Sequence, residues 1–231
     1  MEGVKSFAES FKEFIWDIVG YFVPGLYLLI ILSICIDANY FYQSKFLSLS
    51  DKEVSLGIYF IAYILGYVIY GLSEIKEKWL GDRSYTKKKE AEVKGRDTYA
   101  NAVSIMETRL LPLINRQVNL RSVREARNLA MSTAPEADQK VYTFMFRSEL
   151  SRHIANVSAI IAVTGLLSSL MHIWFTFPPA IKTDAHTVTL YILLLLSYFF
   201  LRETRNRFYA IAIGLPFSIF LSKQLSHASQ A

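Results

Sequence analysis

The longest uncharged stretch of the chain is IANVSAIIAVTGLLSSLMHIWFTFPPAI at residues 154–181, and it decides the fold class. It has 28 residues without Asp, Glu, Lys or Arg. A helix needs about 20 apolar residues to cross the roughly 30 Å of hydrocarbon in a bilayer. A charge inside such a segment costs about 3 kcal/mol on insertion scales, so a gap of this length is rarely accidental. We therefore predict a transmembrane helix at residues 154–177.

Three further uncharged windows lie at residues 18–36, 54–73 and 185–201. Each is close to the length of one membrane crossing and is bounded by charged side chains. Hydrophobic residues make up 52% of the sequence, which also suits a soluble domain, so the confinement of charge to the segments between the windows is the deciding feature. The sequence thus predicts an all-α, helical integral membrane protein with four transmembrane helices.

Basic residues are distributed unequally among the segments that separate the windows. Sixteen Lys and Arg lie between the second and third windows, against two between the first and second and one between the third and fourth. Cytoplasmic loops of membrane proteins carry the excess of Lys and Arg. We therefore predict a multi-pass protein of the cell inner membrane with both termini in the cytoplasm. Residues 74–153 are then a basic helical cytoplasmic domain inserted between spans 2 and 3.

Residues 1–17 have the pattern of a helix that lies on the membrane surface. Phe occurs at positions 7, 11 and 14, with Glu and Lys between these positions. A helix with one apolar and one charged face binds in the plane of the interface. The sequence predicts an amphipathic interfacial helix here that leads into the first span.

The pattern inside the central domain is helical. Apolar side chains recur at spacings of three and four over residues 97–111, with Ala100 and Met106 on one face. Residues 133–136, with the sequence TAPE, combine a capping Thr with Glu three positions later and Pro in the first turn. We predict that one helix runs from the cytoplasmic domain through the membrane over residues 134–177.

The last uncharged run lies at residues 208–222 and contains Gly214 and Pro216. Its 15 residues are short for a membrane crossing. This length favours an interfacial or re-entrant segment, and the alternative is a fifth crossing.

Small and weakly polar residues form a seam along the predicted third span, at alternating steps of three and four. Such a seam permits close packing between membrane helices. In an oligomer it could instead line a water-accessible path. The residues predicted to pack between helices or to line the path are Ser158, Ala162, Gly165 and Ser169. The two interpretations are compatible when the packing is between subunits.

Four arginines lie within twelve residues of the central domain: Arg116, Arg121, Arg124 and Arg127. The guanidinium fork binds phosphate oxygens bidentately and keeps its charge. One interpretation is a ligand-binding site for a nucleotide or an oligonucleotide. The others are contact with anionic lipid headgroups and an ordinary solvated basic face.

One pair of residues has the spacing of a catalytic motif. Arg147 and His153 resemble the Arg-x(4 to 6)-His motif of HEPN ribonucleases, in which dimerisation pairs two arginines and two histidines around an RNA phosphate. The resemblance implies a membrane-tethered ribonuclease with these two catalytic residues. The sequence otherwise has no P-loop, no G-x-S-x-G and no H-E-x-x-H motif, and Cys35 is its only cysteine. We therefore expect no enzyme, no cofactor and no metal site.

The first part of the chain, with GYFVPGLYLLIILSI at residues 20–34 behind an amphipathic helix, resembles small bacterial inner-membrane proteins. Several of these are similar to membrane effectors of anti-phage defence systems, such as Hailong-type channel effectors and CRISPR-associated membrane accessory proteins. The resemblance implies a few spans joined to a small cytoplasmic sensing part, and depolarisation of the membrane on triggering.

The sequence leaves three functional hypotheses. The leading one is an oligomeric membrane channel or pore-forming effector that responds to an anionic cytoplasmic signal. The alternatives are the ribonuclease and a non-catalytic membrane assembly or regulatory protein. The expected partners are further copies of the chain, membrane lipid, a nucleotide or oligonucleotide, and a soluble protein from the same operon.

Overall fold

The computed structural model describes residues 2–36, 51–80, 83–113, 119–174 and 181–228. Every regular element in these ranges is helical, which confirms the all-α class. The α-helices are α1 Glu2–Cys35, α2 Asp51–Leu80, α3 Arg83–Lys94, α4 Asp97–Ile105, α5 Val123–Thr133, α6 Pro135–Trp174 and α7 Ala185–Ala228. A π-helical turn, Met106–Leu110, and a 3-10 turn, Leu111–Leu113, follow α4.

Four of these helices are long and apolar enough to cross a membrane. The apolar segments are Ile18–Cys35 in α1, Gly57–Trp79 in α2, Gln139–Trp174 in α6 and Ala185–Ser226 in α7. The last two have 36 and 42 residues, far more than the 20 or so that cross the hydrocarbon core. Part of each must therefore be apolar for a reason other than membrane crossing.

The chain divides into two compact units, and this division accounts for the surplus length. The first unit consists of Met1–Ile75 and Glu149–Thr204, and the second of Lys76–Ser148 and Arg205–Ala231. Each of α2, α6 and α7 therefore contributes residues to both units. The sequence predicted a domain at residues 74–153 but not that the C-terminal part of α7 would complete it. The cytoplasmic location of this unit stays a prediction.

The predicted interfacial helix and the first span form one continuous helix, α1. Pro24 lies inside α1 and is buried. Proline removes one backbone hydrogen bond from a helix, which spans tolerate where neighbouring helices pack around the site. The interfacial location of residues 2–17 stays a prediction.

α1 and α2 cross at a point where their backbones meet. Gly25 of α1 faces backbone atoms of Ala62 and Gly66, and Gly66 of α2 faces the backbone of Tyr21. A Cβ atom at either glycine would collide with backbone atoms that cannot rotate away. Ala62 and Gly66 have the spacing of small residues that lets membrane helices approach closely. This contact fixes how α1 packs on α2.

The third and fourth spans pack around one aromatic ring. The ring of Tyr191 on α7 covers Gly165 of α6, where a Cβ atom would overlap the ring. Tyr191 is fully buried, and its hydroxyl donates to the carbonyl of Lys182 at 2.9 Å. Asp184 caps α7 by accepting the backbone N–H of Thr187 at 3.1 Å. These hydrogen bonds fix where α7 begins.

Residues 208–222 continue α7 without a break, whereas the sequence favoured a separate interfacial or re-entrant segment. Pro216 lies inside the helix and is buried. Ile213, Phe217 and Phe220 are buried in the hydrophobic core of the second unit. Packing in this core explains why the segment lacks charged residues. Hydropathy alone does not distinguish a helix buried in a protein core from a membrane segment.

Tyr99 on α4 connects this core to the turn before α5. Its hydroxyl donates to the carbonyl of Leu120 at 2.9 Å, and its ring meets Phe217 edge-on with centroids 4.9 Å apart. Burial raises the pKa of the Tyr99 phenol, which therefore remains a donor. The sequence placed Ala100 on the buried face, but Ala100 is exposed and Tyr99 is buried. A phenol with a hydrogen-bond partner buries more apolar surface than a methyl group.

Replacing Tyr99 by Phe should lower the free energy of unfolding by about 1 kcal/mol. The ring keeps its packing, but the buried carbonyl of Leu120 loses its donor. Tyr59→Phe is the matched control, because Tyr59 is 57% exposed on α2. Thermal or chemical unfolding in detergent measures the difference. Equal stability of the two variants would contradict the hydrogen bond.

Candidate functional site

Ser73, near the end of the predicted second span, is the centre of a buried polar network in the first unit. Its hydroxyl accepts a hydrogen bond from the side-chain amide of Asn156 at 2.8 Å. The Nδ1 atom of His153 lies 3.0 Å from the same oxygen. All three side chains are buried, and the two partners are on α6. Buried polar groups pair with one another, because no water reaches them to form the hydrogen bonds instead.

Arg152 brings a full charge into the same network. Its guanidinium forms ion pairs with Glu149 on α6 and with Glu74 on α2, and the second joins Nη2 to Oε1 at 2.9 Å. It also lies over the ring of Tyr70, with Cζ 5.8 Å from the ring centroid. Arg152 is only 5% exposed, so its charge depends on these partners. A buried charge left without its partners costs several kcal/mol.

The imidazole of His153 lies between a hydroxyl and a carboxylate. The hydroxyl oxygen of Ser73 accepts a hydrogen bond from Asn156, and we assign the hydroxyl proton of Ser73 as the donor to Nδ1 of His153. Nε2 then carries the imidazole proton, and it lies 3.8 Å from a carboxylate oxygen of Glu149. We assign this tautomer from the hydrogen-bond network. The imidazole is therefore within hydrogen-bond distance of the hydroxyl, whereas its separation from the carboxylate is longer than a hydrogen bond.

Tyrosines on α2 lead along the span toward this network. Tyr63, Tyr67 and Tyr70 follow at steps of four and three, so they share one side of the helix, and we call them the tyrosine face. The hydroxyls of Tyr63 and Tyr67 are 3.1 Å apart, and the ring of Tyr21 stacks on Tyr67 at 3.9 Å between centroids. Tyr67 is 48% exposed within a segment apolar enough to cross a membrane. Tyr70 contacts the buried network directly.

The predicted arginine cluster lies in the second unit. The members that the structure describes are Arg121, Arg124 and Arg127, and Arg116 lies outside the described residues. Ser122 caps the start of α5 by accepting the N–H of Glu125 at 3.4 Å, and the Glu125 carboxylate accepts the backbone N–H of Asn119 at 2.8 Å. Arg121 and Arg124 are exposed. As exposed side chains they have the properties of a solvated basic face.

Arg127 differs from these two arginines because it is partly buried. The groups that act on its charge are Arg124, Glu90 on α3 and Tyr209 on α7. Burial lowers the pKa of the Arg127 guanidinium, Tyr209 raises it, and smaller effects of Arg124 and Glu90 oppose each other. Its Nε atom is buried and has no hydrogen-bond partner among the described residues. Such an unsatisfied donor is uncommon in a folded protein.

The seam predicted on the third span lies against other residues of the same unit. The hydroxyls of Ser158 and Tyr27 share a hydrogen bond at 2.8 Å. Ala162 is fully buried, Gly165 is covered by an aromatic ring, and Ser169 donates to the carbonyl of Gly165 at 2.8 Å. These contacts are those of helix packing. A pore-lining role for the seam stays a prediction.

Arg147 and His153, the pair with ribonuclease-like spacing, have different surroundings. Arg147 belongs to the second unit, where it is exposed and lies over the rings of Phe144 and Phe208, with Cζ 5.9 and 5.8 Å from their centroids. His153 belongs to the first unit and is 4% exposed. A catalytic histidine needs access to the group whose proton it transfers. The catalytic role of this pair stays a prediction.

Sequence reasoning missed Ser73, Glu74 and Asn156 as members of a site. The first two ended the second uncharged window and were used only as its boundary. Asn156 is the only side-chain amide in the uncharged stretch at residues 154–181. A single polar side chain of this kind in a predicted span indicates a functional site. One sequence does not show which residue of another span faces that amide.

Among the described residues, no three His, Cys, Asp or Glu side chains are grouped as a metal site. Comparisons with protein-family models, with curated proteins and with solved structures gave no match. The fold and site define the class: an all-helical chain with four helices able to cross a membrane and an ionisable network buried between the second and third of them.

Proposed function

We propose that the protein is an oligomeric membrane channel or pore-forming effector whose conduction path follows the tyrosine face to the buried network around Ser73. The observation that carries the proposal is a row of tyrosines along one side of α2, with Tyr67 and Tyr70 exposed, that leads to buried ionisable side chains. Ionisable residues within spans mark the paths of ions and protons.

Several copies are needed for such a path, because each copy carries the tyrosine face on the outside of its first unit. Tyr67 is the most informative member, since half of its side chain is exposed. Copies arranged around an axis would turn this side of α2 away from lipid and toward water. The seam around Ser158 is a weaker candidate, because Ser158 and Ala162 are fully buried within the first unit whereas Tyr67 is exposed.

The buried network acts as the gate in this proposal. Arg152 joins α6 to α2 through Glu74, and Ser73 joins the same two helices through His153 and Asn156. Any opening that separates these helices must break both connections. The anionic signal acts on the second unit, whose net positive charge favours phosphate. The asymmetry of Lys and Arg supports an inner-membrane location, and the resemblance to defence effectors supports depolarisation in response to phage.

In liposomes with a potassium diffusion potential set by valinomycin, we expect the purified protein to collapse the membrane potential. Tyr67→Phe should reduce the flux about five-fold, because removal of one hydrogen bond is worth about 1 kcal/mol. Tyr198→Phe is the matched control, since it removes a hydroxyl from a span on α7. A potential-sensitive dye measures the flux with and without inorganic phosphate or a short oligonucleotide.

A membrane potential that persists under every condition, with the protein shown to be inserted, would refute the channel. Equal flux through wild type and Tyr67→Phe would show that the tyrosine face does not line the conduction path. Co-purification of a soluble protein without any conductance would favour the assembly or regulatory hypothesis. Cleavage of RNA that depends on His153 would favour the ribonuclease. Subunit number in lipid particles is an independent check, because a monomer cannot form the path.

A further inference from the structure

We propose that the second unit binds a phosphate group at Arg127, where α5 approaches α3 and α7. This phosphate site deepens the signal-binding part of the proposed function and rests on it for its physiological role. Binding is measured separately from conduction, so the failure of one is distinguishable from the failure of the other.

The first reason is the unsatisfied guanidinium of Arg127. Its Nε is buried without a hydrogen-bond partner among the described residues. Nearly all buried donors in native proteins are paired with protein or water. An acceptor from outside the chain would satisfy this donor.

The second reason is the charge around this donor. Arg124, one turn earlier on α5, has a like charge that disfavours the charged form of Arg127. Glu90 attracts Arg127 only weakly and forms no ion pair with it among the described residues. Two guanidinium groups with little compensating negative charge nearby favour the binding of an anion that carries more than one negative charge. The hydroxyl-bearing side chain of Tyr209 also acts on Arg127, which makes the surroundings partly polar.

The third reason is the geometry of the guanidinium itself. Its Nε and one terminal nitrogen form a fork that matches two oxygens of one phosphate, whereas an ammonium group acts as a single charge. The buried atom is the Nε, which is one half of this fork. A phosphate monoester or inorganic phosphate satisfies both the fork and the excess charge. The source is either a soluble phosphate compound or a lipid whose headgroup is a phosphate monoester, as in phosphatidic acid.

The test compares melting temperatures of the full chain in nanodiscs of neutral phosphatidylcholine, with inorganic phosphate or with chloride at equal ionic strength. We expect phosphate to raise the melting temperature of the wild type. Arg127→Gln should weaken phosphate binding by roughly 10- to 100-fold in Kd, as expected for one or two charge-assisted hydrogen bonds. Arg109→Gln is the matched control, because it removes an equal charge from an exposed arginine of the π-helical turn.

A second arm of the test identifies the source of the phosphate. Nanodiscs that contain phosphatidic acid offer the group as a lipid headgroup. If the lipid is the source, these discs raise the melting temperature of the wild type but not of Arg127→Gln, and added phosphate gives no further rise. If the source is soluble, phosphatidic acid leaves both melting temperatures unchanged and inorganic phosphate retains its effect.

A third measurement separates a binding arginine from a structural one. Without phosphate, Arg127→Met should melt no lower than the wild type, because it removes a partly buried charge that lacks a partner. A lower melting temperature or failure to fold would show that Arg127 stabilises the chain itself and would overturn the proposal. An equal response of wild type and Arg127→Gln to phosphate would overturn it too, as would a wild type that responds to neither probe.

Discussion

Replacing Gly66 by alanine is expected to destabilise the first unit by about 2 kcal/mol or more. The new Cβ atom would collide with the backbone of Tyr21, and backbone atoms on a packed helix cannot move aside as a flexible side chain can. Overpacking of this kind costs about 1–3 kcal/mol where side chains give way. This cost acts against the higher helix propensity of alanine, which is worth about 1 kcal/mol relative to glycine inside a helix. Gly25→Ala should behave similarly, since it meets the backbone of Ala62.

The same helix provides the control for this prediction. A Cβ atom at Gly57 or Gly71 would meet no atom within 4 Å. Alanine at these positions should therefore leave stability unchanged or increase it by up to about 1 kcal/mol. Unfolding of the purified protein in mixed detergent measures all four variants. If Gly66→Ala is as stable as Gly71→Ala, then α1 and α2 do not cross at this point.

Removing both carboxylates that pair with Arg152 is expected to have the second large effect. In the double variant Glu74→Gln with Glu149→Gln, the buried guanidinium keeps its charge but loses its ion pairs with these two carboxylates. Breaking a buried pair from one side costs about 3–5 kcal/mol, because the remaining charge is left without compensation. The double variant should therefore unfold at much lower denaturant, and in the proposed channel it should weaken the closed state.

Arg152→Met provides the comparison that distinguishes charge from packing. Both carboxylates are partly exposed and remain solvated without Arg152, so this single variant should lose less stability than the double variant. Combining Arg152→Met with Glu74→Gln and Glu149→Gln should restore much of the loss, because no unpaired charge remains. Glu203→Gln removes an exposed acid of α7 in the same unit and should have little effect. A triple variant no more stable than the double variant would contradict the ion-pair explanation.

The sequence predicted the class of the protein from local properties. The free energy of moving each side chain from water into lipid depends mainly on that side chain, so windows without charge predicted the four membrane-crossing helices. The Thr-Ala-Pro-Glu pattern at residues 133–136 likewise predicted the start of α6, which begins at Pro135. Such signals act over a few residues and can be read along a single chain.

The same local reading did not locate the core of the second unit. Phe217 and Phe220 lie in a run that hydropathy treats as a membrane segment, yet they pack with residues of α4 and α5. Tyr99 was passed over in favour of Ala100, because periodicity does not show that a phenol has an acceptor at Leu120. Both differences arise from contacts between distant parts of the sequence.

The uncharged stretch at residues 154–181 therefore determined by itself that the chain has a helix able to cross a membrane. Only the tertiary structure decided which of its residues form a site. Ser73 and His153 are 80 positions apart in the chain, and their side chains meet 3.0 Å apart because α2 packs on α6. Hydrophobicity depends on one residue at a time, whereas a hydrogen bond or ion pair depends on two groups that only the packing of helices brings together.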